Sequence, residues 1–180
     1  FIRTNEVDGW LHIYRISRDG KEVKLLTKGN YDANFRAYDA ATGDVYFDAT
    51  PYDATQNYLY KINIKKGDTI RITPAAFNGT NNYTFSPDAK YALHVNANVS
   101  RDWNIRLVNL PAHQKVYPAA EDVFEKPNLG FNLEKFKITT ADNIEMDGIM
   151  AKPLDYDPSK KYPVFFFVYG EPAASIANDV

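Results

Sequence analysis

The 180-residue chain carries 21 Lys and Arg against 23 Asp and Glu, a formal net charge of −2, so its composition offers no basic surface for a nucleic acid or an anionic membrane. It has no Cys, which excludes a thiolate nucleophile, a disulfide and a Cys-based zinc site. Aromatic residues make up 14%, with 13 Tyr and 11 Phe, which tilts an ordinary globular composition toward β structure, and no apolar run approaches the ~20 residues that span a bilayer.

Residues 1–118 read as short strands in repeats. Residues 10–16 (WLHIYRI) alternate, Arg18-Asp19-Gly20 turns, and residues 22–26 alternate again, a hairpin signal. The unit recurs at residues 58–64 (YLYKINI), with Lys66-Gly67-Asp68 leading into residues 69–73. A third copy runs over residues 104–110, turns at residues 111–114 and continues at 115–118. Ile13-Tyr14-Arg15-Ile16, Leu59-Tyr60-Lys61-Ile62 and Ile105-Arg106-Leu107-Val108 are each 46 residues apart, and Leu26-Thr27 matches Ile72-Thr73 at the same step. Between these units lie two more strand pairs. Residues 35–38 turn at Ala41-Thr42-Gly43 into 45–49, and residues 83–85 turn at Ser86-Pro87-Asp88 into 91–95.

Each repeat thus holds about four short antiparallel strands, and its period falls in the ~40–50 residue range of propeller blades. The predicted fold is mainly β: a partial β-propeller of about two and a half blades, with the rest of the ring expected upstream. The alternative is a β-sandwich with coincidental spacing. The chain opens at Phe1 rather than Met and ends at Val180 without a tail, so we expect a piece of a longer protein.

Residues 119–133 break the pattern. Ala119-Ala120-Glu121-Asp122 is a candidate opening of a short helix, with Pro127, Asn128 and Gly130 as a linker. A new unit starts at Glu134. Residues 134–139 alternate, Ala141-Asp142-Asn143 turns, and 144–150 returns as a hairpin partner. A polar loop then leads to residues 163–169, an apolar run bounded by Pro163 and Gly170, which predicts a strand buried on both faces.

This order, with Leu26-Thr27-Lys28-Gly29, Asn57-Tyr58-Leu59-Tyr60, residues 85–91 (FSPDAKY) and residues 160–172 ending in Val168-Tyr169-Gly170-Glu171-Pro172 (VYGEP), resembles the dipeptidyl peptidase IV branch of the prolyl oligopeptidase clan of serine peptidases. The resemblance implies a propeller over residues 1–118, a linker over 119–133, and at 134–180 the first strands of an α/β-hydrolase domain. It implies cleavage of amino-terminal dipeptides with Pro or Ala second, by acyl-enzyme chemistry at a Ser-Asp-His triad. No Gly-x-Ser-x-Gly occurs among the 180 residues, so the triad is expected beyond Val180 and the chain alone is expected to be inactive. The branch's acidic pair, which holds the substrate amino terminus, is expected in an earlier blade.

One catalytic position carries over by the resemblance. Tyr169 matches the tyrosine whose hydroxyl helps form the oxyanion hole, and a phenol at a strand end in a dry cleft suits that task. Glu171 stands where the family usually has a second small residue. The competing role for Tyr169 is a strand-end tyrosine satisfied by a backbone carbonyl.

No cofactor and no metal is expected. Asp39, Asp48, Asp53 and Asp102 lack calcium-ligand spacing and read as turn caps. His12 and His94 fall in blade strands and His113 in a turn. Ser86 is a turn residue and Ser175 a loop serine. Asn78, Asn82 and Asn98 head glycosylation sequons. The resemblance further implies peptide substrates as partners and a periplasmic or extracellular location, and it leaves homodimerisation of the parent open. An alternative from another class is a propeller-based binding module whose hydrolase has lost its nucleophile. A closer one is an oligopeptidase or acylaminoacyl-peptidase relative.

Overall fold

The computed structural model describes residues 1–116, 130–170 and 175–180. Strands β1 (Ile2–Asn5), β2 (His12–Ile16) and β3 (Val23–Leu25) form a three-stranded sheet. Strands β4 (Ala33–Asp39), β5 (Asp44–Ala49), β6 (Tyr58–Asn63) and β7 (Thr69–Arg71) form a four-stranded one. Strands β8 (Thr80–Phe85), β9 (Tyr91–Asn98) and β10 (Arg101–Asn109) make a third sheet, and an isolated bridge from Val108 to Lys115 marks a fourth strand position beside β10. The hairpin β11 (Phe131–Thr139) and β12 (Glu145–Pro153) stands apart. All pairing within these sheets is antiparallel. The fold is mainly β, a propeller segment.

Blade stacking explains the burial. Ile13 and Leu26 of the first sheet meet Ala33, Val45, Phe47, Tyr60 and Ile62 of the second in one core. Tyr46, Leu59 and Ile72 on the second sheet's other face meet Tyr83, Ala92 and Val108 of the third. All six residues of β5 are therefore buried. Three successive layers exclude a two-sheet sandwich. The 46-residue period reappears as chemistry. The Ile13 N–H donates to Thr27 Oγ1 at 2.9 Å and the Leu59 N–H to Thr73 Oγ1 at 2.8 Å. The Leu26 N–H donates to the Ile13 carbonyl and the Ile72 N–H to the Leu59 carbonyl, both at 2.8 Å. Ile105, one period further on, is 59% exposed, since no described sheet lies against its face.

The turns follow their side chains. Ser17 Oγ donates to Asp19 Oδ1 at 2.6 Å and accepts the Glu22 N–H at 2.9 Å. Ser86, Asp88 and Tyr91 repeat the arrangement at 2.7 and 3.0 Å. The left-handed position is Gly20 in the first turn and Ala89 in the second, at φ 74° and 56°. Glycine takes this conformation without strain and alanine does not, but the Ala89 methyl is buried in the core between the second and third sheets.

Two expectations need correction. Strand β11 begins at Phe131, inside the stretch read as linker, because its ladder continues through Phe131–Pro153, Asn132–Lys152 and Leu133–Ala151 pairs. Residues 161–170 form no strand, and Phe165, Phe166 and Val168 are 89%, 83% and 84% exposed. A strand buried on both faces needs hydrogen-bonded neighbours and apolar cover on each side, and none of the described strands pairs with this run. The helix expected at 119–122 lies outside the described residues, as do Pro127, Asn128 and Glu171.

Candidate functional site

Tyr169 closes the apolar run and is half-exposed, next to Gly170. The run is tied to the hairpin at its amino-terminal side. The Asp157 N–H donates to the Tyr162 hydroxyl at 3.0 Å, the Tyr156 and Tyr162 rings lie 5.2 Å apart, and Lys152 Nζ sits 4.9 Å from the Tyr156 ring centre.

Beyond the run, residue Asp179 is built into the blades. Its N–H donates to the Thr55 carbonyl at 2.8 Å and its carbonyl accepts the Thr80 N–H at 2.9 Å. Its Oδ1 accepts the Val99 N–H at 2.9 Å. Its Oδ2 accepts Gln56 Nε2 at 2.9 Å and Lys135 Nζ, from β11, at 3.1 Å. Lys135 also reaches Thr55 Oγ1 at 3.2 Å and Asp53 Oδ2 at 3.4 Å. Asp179 is only 3% exposed, so its carboxylate needs these donors to offset the loss of water. Burial pulls the Lys135 ammonium down, but Asp179 and Asp53 outweigh it and hold its pKa above the usual lysine value. Burial pushes Asp53 up, and hydrogen bonds from Thr55 together with Lys135 bring it below the usual carboxylate range.

A second polar group lies buried between the second and third sheets. Asn81 Oδ1 accepts His94 Nε2 at 2.8 Å and Asn96 Nδ2 at 3.1 Å, so Nε2 carries the His94 proton. The Tyr83 ring stacks on His94 with centroids 4.4 Å apart. The Tyr83 hydroxyl shares hydrogen bonds with His113 Nε2 at 2.9 Å and Thr73 Oγ1 at 3.0 Å. Gly79 sits beside this seam at φ 99°, where a Cβ would come within 2.2 Å of the Ala97 carbonyl oxygen.

Burial lowers the His94 pKa to about 2, helped by His113 and Arg106, and burial lowers His113 to about 4. Both rings are neutral at pH 7 and are structural groups rather than bases. The sign follows from the depressed values: below the ordinary histidine value of ~6.5 the unfolded chain takes up protons that the folded seam refuses. Stability is complete above that value and falls as the pH drops toward 4. We expect the melting temperature to decline over that window, and His113→Gln to remove about half of the histidine-dependent decline. Thermal unfolding followed by circular dichroism from pH 7 to pH 4 checks this; equal slopes in both proteins would show that His113 takes up its proton in the folded state as readily as in the unfolded one.

The aspartates divide. Asp39 caps a turn through the Ala41 N–H at 2.9 Å, and Asp53 through the Thr55 N–H at 2.9 Å. Asp48 does not cap a turn. It lies 1% exposed within β5, paired with Arg36 Nε, and burial pushes its pKa up against the pull of Arg36. A bulge in β4 between Phe35 and Ala37 sets Arg36 off the regular ladder. The Asp102 side chain lies outside the described residues. Among the described residues no three His, Asp or Glu side chains converge as a metal site. His12 lies on β2, His94 on β9 and His113 in the turn after β10, while Ser175 bonds only locally, to Asn178 at 3.3 Å.

Comparison with known proteins decides the family. A family model described as the dipeptidyl peptidase IV N-terminal region matches residues 1–101, more than half of the chain. The chain belongs to the dipeptidyl peptidase IV family. A probable dipeptidyl-aminopeptidase B of Aspergillus terreus is 30% identical over 188 aligned positions, covering 99% of this chain and 20% of that protein. Its counterpart in Talaromyces stipitatus is 31% identical over 178 positions, covering 93% and 19%. The chain therefore spans about one fifth of the length of these curated relatives.

Among solved structures, dipeptidyl peptidase 4 of Porphyromonas gingivalis is similar with a TM-score of 0.77 at 23% identity, over 91% of this chain and 23% of that one. A putative dipeptidyl aminopeptidase IV of Bacteroides ovatus gives 0.79 at 23% identity, over 99% and 28%. At this identity the likeness establishes the fold. The dipeptidyl peptidase IV match ends within β10, so Tyr169, Lys135 and Asp179 all lie past it.

Lys135 and Asp179 escaped the sequence reading because they are 44 residues apart and in no motif. The histidine seam escaped it because His94 and His113 are read singly, one in a blade strand and the other in a turn. The one signal was that an inward-facing position of a blade strand, His94, is polar.

Proposed function

We propose that this chain is a segment of a serine-type dipeptidyl peptidase. In this reading residues 1–118 are late propeller blades, 119–130 a linker and 131–180, from the start of β11, the opening of an α/β-hydrolase domain. The parent removes amino-terminal dipeptides with Pro or Ala second, outside the cytoplasm. Its serine, supplied by sequence other than these 180 residues, attacks the scissile carbonyl and forms an acyl-enzyme that water releases. The Tyr169 hydroxyl donates to the carbonyl oxygen as negative charge develops on it. Such a donor favours the transition state over the ground state, which is what raises kcat.

Family membership carries this reading, together with a phenol that closes an apolar run against Gly170. The free amino terminus of the substrate is the discriminating group. The full-length protein is expected to release p-nitroaniline from Gly-Pro-p-nitroanilide and Ala-Pro-p-nitroanilide and not from their N-acetylated forms, and to be inactivated by a fluorophosphonate. Equal turnover of blocked substrates would favour the oligopeptidase or acylaminoacyl-peptidase reading. No turnover and no labelling would favour the binding module.

A further inference from the structure

The segment carrying Tyr169 is flanked on both sides by contacts to the same hairpin. On one side Tyr162, Tyr156 and Lys152 connect residues 161–170 to β12. On the other, ten residues past Tyr169, Asp179 pairs with Lys135 of β11. The pair closes a ring: β11, β12, the apolar run, Asp179 and back to β11. The same carboxylate holds Val99 and Gln56 of the blades, and the Asp179 backbone bridges Thr55 and Thr80. One buried residue therefore joins the hairpin, the end of the Tyr169 segment and two successive blades.

We propose that Asp179 and Lys135 are positioning residues that set the place of Tyr169 relative to the propeller. The inference rests on the oxyanion reading of Tyr169 for its effect on the reaction, but the coupling is a physical property that can be measured apart from it. A donor in an oxyanion hole has to sit within hydrogen-bond distance of one developing charge, so a shift of its segment costs rate rather than affinity. Neither residue touches substrate in this scheme. Asp179→Asn keeps the size and the backbone bonds and removes the charge. Lys135→Met keeps the side-chain length and removes the other charge from a partly exposed position, so it carries the test if the buried substitution prevents folding.

In the full-length protein, held well below its melting temperature, each variant is expected to lower kcat by on the order of tenfold or more, with KM within about threefold of wild type. Because the two act through one contact, the double variant is expected to lose no more than the worse single one. Hydrogen–deuterium exchange of residues 161–170 is expected to quicken in both. Unchanged exchange, unchanged kcat in a folded variant, or fully additive losses would each overturn the proposal. The two readings separate cleanly. If Tyr169→Phe costs nothing while Asp179→Asn speeds exchange, the coupling stands and the oxyanion role falls. If Tyr169→Phe is slow while both charge variants match wild type, the coupling alone falls.

Discussion

On the proposed oxyanion role, Tyr169→Phe in the full-length protein is expected to lower kcat by about 10²–10³-fold and to leave KM nearly unchanged, the cost of removing one such donor. The substitution removes one hydroxyl and no packing volume, and the Tyr169 side chain is half-exposed beside Gly170, so a loss of stability is not the expected cause of a slower rate. The split between kcat and KM is the decisive readout. A donor used equally by substrate and transition state would move KM, and only one used as charge develops moves kcat alone. A kcat within twofold of wild type on Gly-Pro-p-nitroanilide would remove Tyr169 from the oxyanion hole and leave it the structural role of a tyrosine satisfied by the backbone.

The blades were legible because their physics is local and repeated. Strand alternation and the Asp-Gly and Ser-Pro-Asp turns required only neighbouring residues, and the 46-residue step only a comparison of such units; Thr27 and Thr73, one period apart, show why the step persists, since each supplies the acceptor for a strand N–H of its own blade. The buried reading of residues 163–169 was the opposite case. It inferred surroundings from composition, whereas burial of such a run depends on neighbours distant in sequence. The candidate site was legible only at Tyr169, through the VYGEP resemblance. Lys135 and Asp179 were not, because a half-buried ion pair between distant segments leaves no periodic trace, and each residue alone reads as an ordinary surface charge.

That contrast gives the second large effect. Phe47 is 1% exposed, stacks on Tyr60 at 5.7 Å and lies in the core between the first two sheets. Phe47→Ala is expected to cost about 3–5 kcal/mol, the usual loss for emptying a packed phenylalanine site. Denaturant unfolding should report it as a lower midpoint at unchanged slope. Phe166 is the same residue type at 83% exposure, and in the 180-residue chain Phe166→Ala is expected to stay within about 0.5 kcal/mol of wild type, as exposed substitutions do. The full-length protein makes the comparison informative. If residues 131–180 open an α/β-hydrolase sheet, neighbouring strands and helices cover the run there, and Phe166→Ala should then approach the cost of Phe47→Ala. A neutral Phe166→Ala in the full-length protein would show that the run stays outside any core and would sink the hydrolase reading of this segment. A penalty there, absent from the 180-residue chain, would place Tyr169 at the end of a buried strand, where a fixed donor has the rigid support that transition-state stabilisation requires.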